Sequence, residues 1–285
     1  MTDADGELGS GCLYLVATPI GNLEDITLRA IRILKEADLI ACEDTRQTQK
    51  LLQHYGIHKE LVSYHAHNEL TRAPELLIEL EQGAKAALVS DAGMPVVSDP
   101  GHRLVALCLR HHIPVVPIPG PTAFIAALAA SGLPTEEFLF VGFLPSRAGA
   151  RRKAIDALKA EPRTIVLYEA PHRLVETLAD AAEILGPRPA VVAREITKIH
   201  EEFLRGNLND LRDAARERAP RGEITLLIGP GEPALQAVDL QLSLKQRVEQ
   251  IEAESGLDRK AALKQAARER GLGKREAYKQ LLQER

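Results

Sequence analysis

Leu13-Tyr14-Leu15-Val16-Ala17, followed by Thr18-Pro19-Ile20-Gly21-Asn22 and then by the helical pattern ITLRAIRILKEA over 26–37, decides the fold. An apolar run without alternation marks a strand buried on both faces; a Pro/Gly turn ends it, and apolar residues then recur at helical spacing. Strand, tight loop and helix form the first half of a βαβ unit, which requires parallel partner strands. Those partners follow as DLIACED (38–44), LVSYHAH (61–67), KAALVSD (85–91) and IPVVPIP (113–119). Helical patterns separate them: one opened by Thr45 as N-cap and closed by Gly56, then PELLIELEQG (74–83) and HRLVALCLRHH (102–112).

The punctuation PGP (119–121) opens a second series of five strand-like runs, EFLFVGF, TIVLYEA, PAVVARE, EEFLRG and EITLLIG, interleaved with helical segments. The expectation is an α/β protein with two α/β domains, at 12–118 and 119–231, with a cleft between them. A flexible tail (1–11) precedes them, and a linker (232–241) leads to a helical, helix-turn-helix-like extension (242–285) broken at Gly256 and Gly271. A solvated tail is the alternative for that last segment.

Composition limits the function classes. The 285 residues are 45% hydrophobic and 27% charged, which is globular, while aromatics are only 4% and Trp is absent. Such a core is built from Leu, Ile, Val and Ala, as helices packed on a parallel sheet require, and not as a β-sandwich. The longest apolar stretches, such as FIAALAA (124–130), are far shorter than the roughly 20 residues of a membrane span. No apolar leader pattern occurs in MTDADGELGSG, so a cytoplasmic location is expected. Cys12, Cys42 and Cys108 are odd in number and lack CxxC spacing, and read as small core residues in a reducing compartment. Residues 242–285 hold 11 Lys/Arg against 7 Asp/Glu, a balance of +4 in a chain of net charge -4, which leaves -8 on residues 1–241.

Ligands of open α/β sheets sit beyond the carboxyl ends of the strands. Three loops there are rich in Gly, Pro and Asp: 18–22, Asp91-Ala92-Gly93-Met94-Pro95-Val96-Val97-Ser98-Asp99-Pro100-Gly101, and Pro119-Gly120-Pro121-Thr122-Ala123. Glycine admits close backbone approach and proline fixes the loop, so together they describe a pre-formed pocket. Neither GxxxxGK[ST] nor GxGxxG is present, which argues against P-loop and dinucleotide enzymes. His65 and His67 lack the surrounding Cys or carboxylate cluster of a metal site, and no metal is expected; His111 and His112 read as helix C-terminal caps. Polar rims at strand ends, Glu43-Asp44-Thr45-Arg46, Tyr168-Glu169-Ala170-Pro171-His172-Arg173 and Arg194-Glu195-Ile196-Thr197-Lys198, suit an anionic substrate.

The segments 13–34, 38–48, 88–101, 115–128, 164–173 and 192–198, in this order, resemble the ribosomal-RNA cytidine 2′-O-methyltransferases of the tetrapyrrole-methylase superfamily, over about Leu13 to Gly231. The resemblance implies S-adenosylmethionine as methyl donor, small-subunit ribosomal RNA as partner and a homodimer. It implies donor contacts at Pro19, Ile20, Gly21, Asp91, Ala92, Gly93, Met94, Pro95, Val97, Thr122, Ala123, Tyr168, Ala193 and Ile224. Met94 stands where many relatives carry Thr. The basic 242–285 segment resembles the helical extension of such enzymes and suits phosphate contact. A ribose hydroxyl is a poor nucleophile, so a base or cation beside it is expected. Lys198 and Glu169 are the candidates for proton handling or oxygen orientation, with Asp44 beside them, and Arg46 for phosphate contact. Two rivals remain: methylation of a small tetrapyrrole precursor by the same fold, and a non-enzymatic RNA-binding assembly factor acting through the tail.

Overall fold

The computed structural model describes residues 11–218, 220–231, 243–269 and 272–283. The expected N-terminal tail up to residue 10 and the linker 232–241 lie outside the described residues.

The first sheet contains β1 (Cys12–Val16), β2 (Leu39–Cys42), β3 (Glu60–Ser63), β4 (Lys85–Val89) and β5 (Val115–Ile118) in the order β3-β2-β4-β1-β5. All four pairings are parallel. The connecting helices are α1 (Leu28–Glu36), α2 (Thr45–His54), α3 (Glu69–Glu81) and α4 (His102–Arg110). Strand residues alternate between two cores: Leu13, Leu39, Ala41, Ala86 and Leu88 face α3 and α4, while Val16, Ile40, Cys42, Ala87 and Val89 face α1 and α2. Right-handed crossovers explain the division, because chain progress in one direction across the sheet places helices on one face and the return places them on the other. The direction reverses between the adjacent strands β1 and β4, so their loops diverge and open a crevice at their carboxyl ends. Leu34 of α1 is fully buried, and its truncation to Ala costs about 2–5 kcal/mol.

Two local expectations are corrected. Asp44, not Thr45, caps α2, its carboxylate accepting from the Arg46 N–H; Asp44 has the extended backbone of a cap and Thr45 is already helical. The helix expected from Pro74 begins at Glu69, because Asn68 ties the entry by accepting from His65 N–H and donating to Ser63 C=O.

The second sheet contains β6 (Phe138–Phe143), β7 (Thr164–Glu169), β8 (Pro189–Arg194), β9 (Glu202–Asn207) and β10 (Ile224–Ile228) in the order β6-β7-β10-β8-β9. It is mixed rather than parallel. Only β6 and β7 run parallel as neighbours; β10 is antiparallel to β7 and β8, and β8 to β9. The connection 195–201 is too short for a crossover, which takes a dozen residues or more, so β8 and β9 form a hairpin and the chain direction reverses. Helix α5 (Ala123–Ser131) covers one face through Ala127 and Leu128, and Ile20 from the loop after β1 joins that core. Helices α6 (Ala148–Asp156), α7 (Leu174–Leu185) and α8 (Leu208–Glu217) cover the other.

Residues 230–285 form a separate unit. Its helices α9 (Leu244–Ser255), α10 (Arg259–Glu269) and α11 (Lys274–Gln283) share a core of Leu244, Val248, Ile251, Ala262, Leu263, Ala266 and Ala277. Ser243 and Gln246 make a reciprocal capping box at the start of α9, and Gly256 ends it at φ 64°. Among the described residues no helix is long and apolar enough to cross a membrane.

Candidate active site

The loops after β1 and β4 are stitched together across the crevice. Thr18 and Gly93 exchange backbone hydrogen bonds of 2.9 and 3.0 Å, and Thr18 Oγ1 donates to Ser90 C=O at 3.1 Å. Gly93 has φ +84°, and a Cβ there would stand 3.4 Å from Ile20 Cγ2 and 3.6 Å from Pro121 C=O, so glycine keeps this floor low.

The rest of the β4 loop is held under strain. Val96 and Ser98 have φ 76° and 65°, and a β-branched residue in that region costs about 1–3 kcal/mol. Burial offsets the cost: Val96 packs against the core that contains Leu88, over Gly101, where a Cβ would meet both side chains at 2.8 Å. The strained path presents Val97, Ser98 and Asp99 to a cavity of about 390 Å³. Such a volume lies within the range of small-molecule sites.

The cavity is assembled from both sheets. Ile20, residues 91–94 and 97–99 come from the first; Thr122 and Ala123 open α5; Phe143, Tyr168–Pro171, Ile196 and Gly222–Thr225 come from the second. Its walls are apolar, with the acidic residues Asp91, Asp99 and Glu223 among them. Asp91 Oδ1 accepts from the Asp44 N–H at 3.1 Å, which brings the EDTR segment against the β4 loop. Burial, then the charge of Glu43, pushes the Asp99 carboxyl up to about 6, while a hydrogen bond from Ser90 pulls it back in part. Burial and the neighbouring Asp91 likewise raise Glu43. The site therefore carries negative potential, which suits a cationic ligand.

Of the expected donor contacts, Ile20, Asp91, Ala92, Gly93, Met94, Val97, Thr122, Ala123, Tyr168 and Ile224 line the cavity, and Pro19, Gly21, Pro95 and Ala193 do not. Ala193 is fully buried on β8 behind the wall. Gly21, at φ +153°, is covered by the Lys198 stem, into which a Cβ would run.

Of the four expected catalytic residues, only Glu169 lines the cavity. Glu169 lines the cavity but is 2% exposed, its carboxylate accepting from Thr177 Oγ1 at 2.6 Å and the Ala170 N–H at 2.8 Å, with Arg173 Nε at 3.3 Å. Lys198 Nζ lies outside the wall and donates to Glu195 Oε1 at 2.8 Å and Glu223 Oε2 at 3.0 Å. Burial opposes its charge, yet these two carboxylates hold its ammonium above the ordinary lysine value. Asp44 and Arg46 pair with each other at 2.9 Å on the surface, and this hydrogen bond holds Asp44 at about 2, too weak a base for neutral pH. The rings of His65 and His67 stand edge to face at 5.9 Å, and no group of three or more His, Cys, Asp or Glu side chains arranged to hold a metal ion occurs among the described residues. His111 Nδ1 lies 2.8 Å from Glu81 Oε1, so a carboxylate accompanies the helix end there.

Ser98, Asp99, Ala170, Pro171 and Ile196 complete the wall from the loop and rims quoted above, and Phe143, Gly222, Glu223 and Thr225 join it without having been read as pocket residues. Gly142 inside an otherwise apolar strand pattern is the available signal for Phe143, since such a glycine marks a bulge. Gly222 to Thr225 enter because β10 runs antiparallel to β7 and β8, which brings its starting end to their carboxyl ends.

Comparison with known proteins agrees with this geometry. The family model described as Tetrapyrrole (Corrin/Porphyrin) Methylases matches residues 12–212. Proteins called ribosomal RNA small subunit methyltransferase I are similar to the chain. That of Halalkalibacterium halodurans is 55% identical over 78% of this chain and 77% of its own length, and that of Escherichia coli O157:H7 is 46% identical over 89% of each. In fold, the chain is similar to the uroporphyrin-III C-methyl transferase of Thermus thermophilus complexed with S-adenosyl homocysteine. That structure has a TM-score of 0.56 and 24% identity, over 77% of this chain and 97% of that one. Two α/β halves around a glycine-floored cavity, matched by the family model over more than two thirds of the sequence, make this chain a member of the tetrapyrrole methylase family.

Proposed function

We propose that this chain transfers a methyl group from S-adenosylmethionine to the ribose 2′-oxygen of a cytidine in small-subunit ribosomal RNA, acting in the cytoplasm as a homodimer. The observation that carries the reading is the cavity itself, formed by the loop pair that the family resemblance assigns to the donor. Relatives named for small-subunit ribosomal RNA, at 45–55% identity, support the substrate class.

The cavity fits the donor on structural grounds. Gly93 places backbone in the floor at a φ of +84° that disfavours a Cβ, apolar Ile20, Met94, Ile196 and Ile224 line the cavity, and Asp91 and Asp99 offer charge to a cation. The Thr122 side chain does not cap the first amides of α5, which leaves that helix end to meet a carboxylate. S-adenosylmethionine, when bound, supplies an electrophilic methyl on a sulfonium. Ile20, Asp91 to Met94, Val97, Thr122, Ala123, Tyr168 and Ile224 would hold it, while Pro19, Gly21, Pro95 and Ala193 stand outside the lining.

Positioning of the 2′-oxygen contributes most of the rate. Asp99 takes the hydroxyl proton on its carboxylate: it lies on the wall, forms no ion pair among the described residues, and has an affinity for protons suited to near-neutral pH. Lys198 acts indirectly, fixing Glu223 and Glu195 and covering Gly21, while Glu169 and Arg173 lock the β7 end. Arg46, with its side chain 87% exposed, is available to phosphate. The 242–285 segment adds +4 of charge toward RNA.

The test is transfer of labelled methyl from S-adenosylmethionine to small ribosomal subunits lacking the modification, with uroporphyrinogen III as the competing acceptor. Label in RNA alone supports the reading; label in the tetrapyrrole alone overturns it.

A further inference from the structure

The chain has only five Phe and five Tyr, yet Phe124, Phe138, Phe140, Phe143 and Tyr168 form one cluster beside the cavity. Phe124 and Phe140 stack at 4.2 Å, and Phe140 meets Tyr168 edge-on at 5.2 Å. Phe124, Phe138 and Phe140 are partly buried and make ordinary core contacts, and Tyr168, also partly buried, lines the cavity. Phe143 lines the cavity too, 5.5 Å from the Tyr168 ring, but it differs from the other four in being 57% exposed.

Its position is built by the backbone. The pairing of β6 with β7 slips between Phe140 and Gly142, and Gly142 has φ +73°, so a bulge turns the last residue of the strand out of its regular alternation. Ser98 Oγ of the strained β4 loop would lie 3.0 Å from a Cβ at Gly142, so that close approach also requires glycine. Beyond Phe143, the Arg173 guanidinium donates to Leu144 C=O at 2.8 Å and Pro145 C=O at 3.1 Å, anchoring the strand exit. A bulge, a glycine and an arginine clamp thus hold an exposed aromatic face at the mouth of the cavity. Exposure of a large apolar ring costs free energy unless a ligand covers it, and unpaired nucleobases are bound by stacking on such rings.

We propose that Phe143 is the stacking platform for the base of the nucleotide whose ribose is methylated. The inference rests on the RNA reading above and adds to it the residue that holds the nucleotide. A splayed base on Phe143 places its own ribose toward the cavity and Asp99, whereas a base left in its helical stack has no such support.

The full chain with Phe143→Leu, Phe143→Ala and Phe143→Trp tests this, by methyl transfer to unmodified small subunits, donor titration calorimetry and sedimentation. Leu keeps the apolar contact and removes the ring face, so it controls for packing. Loss of one stacked base lowers kcat/KM for the subunit by about 5- to 150-fold in both Leu and Ala variants. Trp retains the wild-type value to within about threefold, and donor Kd and oligomeric state stay unchanged. A Leu variant as active as wild type overturns the proposal. So does donor binding that weakens as much as transfer, which makes Phe143 a donor wall, or a changed oligomeric state, which makes it a subunit contact. Wild-type protein that fails to methylate subunits at all refutes the RNA reading itself, a result distinct from an active Leu variant.

Discussion

Lys198→Met separates two roles that the sequence leaves open for this lysine. Met retains most of the stem that covers Gly21 and removes the ammonium that binds Glu195 and Glu223. The bond to Glu195 is partly buried, with side-chain exposures of 28% and 20%, and charge-assisted bonds of this kind contribute about 1.5–3 kcal/mol before screening. The bond to Glu223, which is 70% exposed, contributes well under about 1 kcal/mol. Allowing for solvent, the variant loses about 1–2 kcal/mol, and thermal unfolding of a body this size falls by roughly 2–8 °C. The ammonium is held above the ordinary lysine value, so this contribution is intact at neutral pH and is lost only as pH rises through the raised value. Glu223 is then free to leave the cavity wall, and donor affinity and methyl transfer weaken together by about 5- to 20-fold. The assays are thermal unfolding, donor calorimetry and single-turnover transfer. A loss of kcat of about 100-fold or more at unchanged donor affinity, with a change in the pH profile, would refute the reasoning and make Lys198 a direct proton-transfer group.

Four further outcomes follow from named groups. Wild-type kcat rises with pH through a limb at or slightly below about 6, because Asp99 acts when ionised and a bound cation eases its ionisation; Asp99→Asn loses the limb and about 100-fold or more in rate. The same raised carboxyl means that stability falls as pH rises from the ordinary Asp range towards about 6, and denaturant titration of Asp99→Asn lacks that fall. Gly93→Ala adds a methyl 3.4 Å from Ile20 at φ +84°, straining the floor by about 1–2 kcal/mol, and donor calorimetry shows roughly tenfold weaker binding. Arg151→Met leaves Asp180 and Glu176 with fewer partners, Arg151 being only 4% exposed; urea unfolding reports a loss of about 3 kcal/mol, and donor affinity is unaltered because the pair lies outside the cavity.

Much of the architecture was readable because burial leaves a periodic trace. Leu13, Leu39 and Leu88 face one core and Val16, Ile40 and Val89 the other, so unbroken apolar runs announce a sheet covered on both sides. Periodicity does not encode strand direction. The reversal at 195–201 shows only as a short connection, and Gly222, Glu223 and Thr225 therefore reach the cavity without any local mark. The Gly/Pro loops were readable as pocket walls because glycine and proline act locally. The roles of Glu169 and Lys198 were not, because each depends on a partner outside its own segment: Thr177 for the first and Glu223 for the second. Asp99 stands in the Gly/Pro loop after β4, but its raised proton affinity arises from burial and the nearby charge of Glu43, which only the folded loop creates.

The most direct measurement is nucleoside mass spectrometry of small-subunit ribosomal RNA after incubation of unmodified subunits with this protein and methyl-labelled S-adenosylmethionine. The account predicts label on the ribose of cytidine, as 2′-O-methylcytidine or its doubly methylated form. Label on a base carbon or nitrogen alone, or no label from a protein that still binds the donor, would contradict it.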